Sequence, residues 1–173
     1  MNEIIISLQY CDQWKDTKDE KWAGKTCAIC CLKMILIFKD HKSSDLEIMD
    51  LVREGLDING HSNVGWSHKA IVELAGKHGV KMDYRKVFYY SDDEKQEGLK
   101  FIISNLSDGK PVIASVWNKD KTGGHLVVVN GFKENGELYS IVGPDSRNES
   151  HYFLSKNEFI HVWRGGLIWL LGN

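Results

Sequence analysis

The run Gly24-Lys25-Thr26-Cys27-Ala28-Ile29-Cys30-Cys31-Leu32-Lys33-Met34-Ile35-Leu36 restricts the fold more than any other stretch, because so apolar a segment has to be surrounded by the rest of the chain. From Cys27 the apolar residues recur at helical spacing through Cys30, Cys31, Met34 and Phe38, and Thr26 is a good N-cap residue, so the pattern predicts a buried helix beginning at Cys27. A cysteine in a first helical turn lies among unpaired N–H groups whose partial positive charge favours thiolate over thiol. Cys27 is therefore a candidate nucleophile, and its own N–H could face the oxyanion that forms in acyl transfer.

The flanking elements follow from periodicity and capping. Ile4-Ile5-Ile6 predicts a short strand, and Tyr10-Cys11-Asp12-Gln13-Trp14 with the charged run Lys15 to Lys21 predicts a polar lead-in loop. After the Cys27 helix, Ser43-Ser44-Asp45 is expected to cap a helix with Leu46, Met49, Val52 and Leu56 on one face. Asn59 to Gly65 reads as a glycine-bounded loop, and Ser67 caps a helix through Ile71, Leu74, Ala75 and His78 that Gly79 closes. Val80, Met82 and Tyr84 alternate as in a strand, and Ser91-Asp92-Asp93 caps a helix running to Leu106 and Gly109.

From Lys110 the texture changes to strands over Pro111–Trp117, His125–Val129 and Leu138–Val142, the last two joined by the hairpin signal Asn135-Gly136. Ser155-Lys156-Asn157-Glu158 is a capping box opening a short helix through Phe159, Ile160 and Trp163, and Leu167 to Leu171 reads as a final strand. The expectation is an α+β fold with an antiparallel sheet: one domain over 1–173, with a helical lobe over about 14–109 and a sheet lobe over about 110–173.

At 173 residues and 42% hydrophobic content, one sizeable core is expected. A formal net charge of -2 with the two signs interspersed offers no basic stripe, so nucleic acid is not an expected partner. Met1 to Ser7 lacks a basic n-region and no apolar run is long enough to cross a bilayer, which predicts a soluble, unsecreted protein. Four cysteines fall short of a disulfide scaffold and suit the reducing cytoplasm. Cys27, Cys30 and Cys31 with Cys11 or a histidine could instead form a zinc site, although Cys30 and Cys31 read more simply as small buried residues. His61 and His68, on either side of the glycine-bounded loop, read as surface or helix-start histidines.

Three further residues carry chemistry in combination with Cys27. His125 enters an apolar strand behind Gly123-Gly124, where a histidine could take the proton of a thiol on a neighbouring helix. Asp145, in Gly143-Pro144-Asp145-Ser146 at the end of the next strand, could orient the imidazole. Gln13, with Gln9 as the alternative, could offer its side-chain NH₂ as a second oxyanion donor.

Together, Gln13, Cys27 with Met34-Ile35-Leu36, Gly124-His125 and Asp145 resemble the papain-like cysteine peptidases of the bacteriocin-processing family, in the order that family shows. Trp66-Ser67-His68, Leu74-Ala75 before Gly79-Val80, Lys110-Pro111-Val112-Ile113, Phe159 and Trp163-Arg164-Gly165-Gly166 extend the resemblance over nearly the whole chain. The chain departs from that pattern at Ala28 and Ile29, where glycine and proline are usual, in the length of the charged loop before Cys27, and at Gly143-Pro144, where Asp-Pro is typical. The resemblance implies a papain-like fold, a peptide substrate, no cofactor, and thiol acyl transfer by Cys27, His125, Asp145 and Gln13. A catalytically idle, peptide-binding member of the same fold and a zinc-binding interaction module are the alternatives.

Overall fold

The computed structural model describes residues 3–85, 91–118, 122–147 and 150–172. Its strands in chain order are β1 (Ile4–Ile5), the separate small hairpin of β2 (His61–Ser62) and β3 (Gly65–Trp66), then β4 (Met82–Arg85), β5 (Val112–Trp117), β6 (Gly124–Lys133), β7 (Leu138–Val142), β8 (His151–Ser155) and β9 (Trp163–Leu170). The main sheet is antiparallel in the order β4-β9-β5-β6-β7-β8, with β1 added on β6. Helices α1 (Glu20–Ala23), α2 (Cys27–Lys39), α3 (Ile48–Asp57) and α4 (His68–Lys77) precede β4, α5 (Asp92–Ser107) precedes β5, and α6 (Lys156–Val162) lies between β8 and β9.

Two apolar clusters explain this layering. In one, α2, α3 and α4 pack on a sheet surface made by Met82, Ile113, Leu126, Val128, Ile168 and Leu170. In the other, Leu99, Ile102 and Leu106 of α5 and Phe159 of α6 meet Val112, Ala114, Val127, Val129, Tyr139 and Ile141. The alternation of β5 and β6 between the clusters is the period-two signature of a sheet covered on both sides. Two elements within the expected helical lobe of about 14–109 therefore belong with the sheet: β4 pairs with β9, and α5 packs on β5, β6 and β9.

Helix α2 is buried on more than the one face that its cysteine spacing suggested. Ile29, Leu32, Ile35 and Ile37 are as enclosed as Cys30, Cys31 and Met34, whereas Phe38 is only partly buried, because α2 is wedged between β6 and the pair α3 and α4. Such an all-round apolar helix is the expected centre of a fold this size.

The caps at Ser67 and Ser91, the Gly79 stop at φ 77° and the capping box at Ser155–Glu158 stand where the sequence placed them, and Glu94 completes a second capping box with Ser91. Other elements differ. Ser43-Ser44-Asp45 lies in a 3₁₀ turn (His41–Asp45) rather than at a helix start; α3 begins at Ile48 and buries Ile48, Leu51 and Val52, leaving Leu56 exposed. The turn between β6 and β7 is a 3₁₀ turn over Glu134–Gly136 with Glu134 and Asn135 at φ 53° and 58°, longer than a two-residue hairpin loop. Trp163 starts β9 instead of ending α6, and β8 and the β2–β3 hairpin had not been anticipated.

The lead-in segment is not a solvated loop. Asn130, at a bulge in β6, joins to Ile6 twice: its Nδ2 donates to Ile6 O and its O accepts from Ile6 N, both at 2.8 Å. Gly131 beside it lets β1 approach so closely that any Cβ there would overlap Ile4 O. With the strand so fixed, Cys11, Asp12, Gln13 and Thr17 are all buried.

Candidate active site

Cys27 is the first residue of α2, and the α2 terminus is left open in an unexpected way. Thr26 does not cap it: its Oγ1 bonds instead with Thr17 Oγ1 at 2.7 Å and donates to Ala23 O at 3.3 Å, and no acidic residue stands in the first turn. The unpaired N–H groups of that turn are thus kept for another acceptor. Burial pushes the Cys27 thiol up, but a hydrogen bond with His125, the charge of that ring and backbone hydrogen bonds from Leu126 and Ala28 outweigh it, and its pKa lies below the ordinary thiol value.

The partner group moves the opposite way. Burial alone would lower His125, yet the Cys27 hydrogen bond and thiolate charge, with the charge of Asp145, hold its pKa above the usual imidazole value. Opposite shifts of two neighbouring groups bring the thiolate–imidazolium form closer in energy to the neutral pair. The neighbouring cysteines contrast with this. Cys30 is raised by its hydrogen bond with Cys11 and by burial, and Cys31 by burial and the Cys27 charge, so both remain thiols. Cys31 donates to Leu126 O at 3.3 Å, fixing α2 against the residue that follows His125. All four cysteines are free, and among the described residues no group of three or more His, Cys, Asp or Glu is placed to hold a metal ion.

Behind this pair, the lead-in segment runs beside the end of β7. Tyr10 Oη donates to Gly143 O at 3.2 Å, Gln13 N to Pro144 O at 2.7 Å, and Trp14 Nε1 to Asp145 Oδ1 at 2.7 Å. Arg147 stacks its guanidinium 3.0 Å from the Trp14 ring centroid and its N–H donates to the same Asp145 oxygen. Gln13 is buried, and its Oε1 meets no hydrogen-bond partner. Asp145 is thus anchored two residues beyond Gly143, the position where the resemblance leads one to expect the carboxylate, and its charge reaches His125 from there. Asn130 donates its Nδ2 to Ile6 O, while its buried Oδ1 meets no hydrogen-bond partner.

In front of Cys27 and His125 opens a cleft of about 580 Å³. One wall is the β2–β3 hairpin, whose tip residue Val64 is 98% exposed; the opposite wall holds Ser115, Gly124 and Arg164. Trp66 supports the hairpin from below, its Nε1 donating to Lys25 O at 2.8 Å and its ring packed on Gly55 with no room for a Cβ between them. His61 and His68, read from sequence as surface or helix-start histidines, both line this cleft, and His68 is the first residue of α4. Lys25, Trp66 and Arg164 went unassigned as site residues, although Lys25 adjoins the nucleophile helix and Arg164 closes the Trp163–Gly166 motif.

Helices packed on an antiparallel sheet in this order make a papain-like architecture. Residues 5–165 match the model of the peptidase C39-like family, and the chain belongs to that family. Among solved structures it is similar to a protein described as a C39-like peptidase from Bacillus anthracis, with 14% identity over 100% of this chain and 99% of that one and a TM-score of 0.70. A double glycine motif protease from an AMS/PCAT transporter in complex with the leader peptide gives 15% identity, 99% and 100% coverage and a TM-score of 0.62. The peptidase domain of Streptococcus ComA, a bi-functional ABC transporter, gives 21%, 87% and 93%, and 0.60. At these identities the structures share the fold. No curated protein sequence matches this one. Among the described residues no helix is long and apolar enough to cross a membrane.

Proposed function

We propose that this protein is a cysteine peptidase that cleaves a peptide bond by thiol acyl transfer. Cys27 thiolate attacks the carbonyl carbon; the imidazolium of His125 gives its proton to the leaving nitrogen as the C–N bond breaks; His125 then draws a proton from the water that hydrolyses the thioester and returns Cys27. The Cys27 N–H and the Gln13 side-chain amide receive the oxyanion, and the charge of Asp145 favours the imidazolium. The observation that carries this reading is that Cys27, at a helix terminus without a side-chain cap, and His125 line the same cleft and shift each other's pKa in opposite directions. A peptide as substrate draws support from the leader peptide bound to the double glycine motif protease of the same fold. Four free cysteines suit a reducing compartment such as the cytoplasm.

The test is incubation of the protein with a mixed peptide library, followed by mass spectrometry of the products. Cleavage that disappears in Cys27→Ala supports the reading. No cleavage, together with iodoacetamide labelling of Cys27 at neutral pH no faster than free cysteine, would leave an idle peptide-binding cleft.

A further inference from the structure

Charge is distributed unevenly over the molecule. The whole chain carries a formal net charge of -2, yet among the described residues no aspartate or glutamate lines the cleft, while Lys25, Arg164 and three histidines do. The two fixed cations stand on either side of the reacting pair. Lys25 lies two residues before Cys27, its carbonyl held by Trp66 Nε1 and its ammonium 5.7 Å from the Trp22 ring centroid. Arg164 lies against Gly124, next to His125; its guanidinium fills the space a Cβ would take there and sits 4.4 Å from the Trp117 ring centroid.

Aromatic faces hold both cations, and neither has a carboxylate partner among the described residues. Stacking of this kind orients a cation without neutralising it. The Lys25 charge also acts inside the cleft, where with burial it keeps His61 below the usual imidazole value. A pocket whose walls carry one sign of charge concentrates the opposite sign.

We propose that Lys25 and Arg164 select a substrate carboxylate, placed within one or two residues of the bond that Cys27 cuts. The proposal rests on the peptidase reading for its chemistry, but the cationic field can be measured without turnover. The carboxylate could be an Asp or Glu side chain or the free C-terminus of a short peptide.

Two experiments test it. In the first, Cys27 is alkylated with iodoacetate or with iodoacetamide; in each the sulfur forms a bond to the CH₂ carbon as iodide leaves, and the reagents differ in charge. The iodoacetate-to-iodoacetamide rate ratio, normalised to glutathione, should fall about tenfold in the Lys25→Gln/Arg164→Gln double variant. It should also fall as NaCl rises from about 0.05 to 0.5 M. The iodoacetamide rate itself should change less than about twofold, which reports an intact site and discounts the His125 contribution. A ratio indifferent to both variant and salt overturns the proposal. Slow labelling by both reagents with the ratio still sensitive would instead remove the peptidase reading and leave the carboxylate site in place.

In the second, kcat/KM is compared for peptides with Glu or Gln on either side of the cleaved bond, each with an amidated or a free C-terminus. An advantage of about tenfold for Glu in amidated peptides, reversed by Arg164→Glu, assigns the site to an acidic side chain. An advantage confined to free C-termini assigns it to the terminal carboxylate. Equal rates, or a preference for Lys, overturn the proposal.

Discussion

Trp14 Nε1 donates to Asp145 Oδ1 at 2.7 Å across 131 residues of sequence, tying the lead-in segment to the end of β7. Together with the Gln13–Pro144 backbone bond, this makes one unit of the carboxylate that acts on His125 and the glutamine assigned to the oxyanion. A hydrogen bond to a charged acceptor is among the stronger individual links in a fold, and this partly buried one also fixes the direction of the acceptor.

Because only Cys27 stands at the open terminus of α2, Cys27→Ala should abolish peptide cleavage, while Cys30→Ala and Cys31→Ala should retain it. Cys31→Ala should lower stability by about 1–2 kcal/mol, as it leaves Leu126 O without its thiol donor. Urea unfolding and peptide turnover measured on the three variants check this. Equal loss of activity in all three with unchanged unfolding curves would point to a metal site.

Gln13→Ala should lower kcat by about two to three orders of magnitude, the usual effect of removing one oxyanion donor. Its effect on the unfolding midpoint should be small, because the buried Oε1 already lacks a partner and the backbone bond to Pro144 survives the substitution. Turnover by Gln13→Ala equal to wild type, with loss in Gln9→Ala, would move the oxyanion role to Gln9.

Gly131→Ala should destabilise the fold by about 1–3 kcal/mol, since the new Cβ would meet Ile4 O and Ile5 Cα and force β1 away from β6. Activity should fall with stability, as β1 precedes the segment carrying Gln13. Equilibrium unfolding and kcat measured side by side would show the coupling; full activity in a destabilised variant would show that β1 does not position the site.

The sequence was most legible where local chemistry and tertiary packing agree. Serine caps at Ser67, Ser91 and Ser155 bond within their own helices and were recognisable from spacing alone. Thr26 was read as a cap by the same rule, but Thr17 and Ala23 compete for its hydroxyl, a contact made by the chain reaching back. Asp12 and Gln13 looked solvated for the same reason: their burial depends on β6 and the β7 end, more than a hundred residues on. Cys27, His125, Asp145 and Gln13 were singled out by their order and chemical type; the fold brings Cys27 and His125 to one cleft and ties the Gln13 segment to Pro144 and Asp145. Lys25 and Arg164 were not singled out, since a lone cation carries no periodicity and gains meaning only from the wall it faces.

The last prediction concerns the pH profile and its dependence on Asp145. The proposed mechanism uses the thiolate–imidazolium form, which the lowered Cys27 and raised His125 pKa values both favour, so activity should be bell-shaped. Alkylation by iodoacetamide should stay fast well below the ordinary thiol pKa of about 8.5. On the acid side His125 is already protonated, and the limb follows loss of the Cys27 proton. On the alkaline side the limb follows loss of the imidazolium proton, which Asp145 opposes by its charge. Asp145→Asn should therefore move the alkaline limb to lower pH, leave the acid limb nearly in place, and reduce kcat/KM at its optimum by about ten- to a thousandfold. Asp145→Glu should restore part of both.

Linkage gives the same sign for stability. The raised His125 pKa stabilises the fold below the unfolded value of about 6.5, and that contribution is lost as pH rises through the folded value. Asp145→Asn should accordingly cost more stability at mildly acidic pH than at alkaline pH. Alkaline limbs that coincide in Asp145→Asn and wild type would show that Asp145 only anchors Trp14 and Arg147, and that the imidazolium is maintained by the Cys27 thiolate alone.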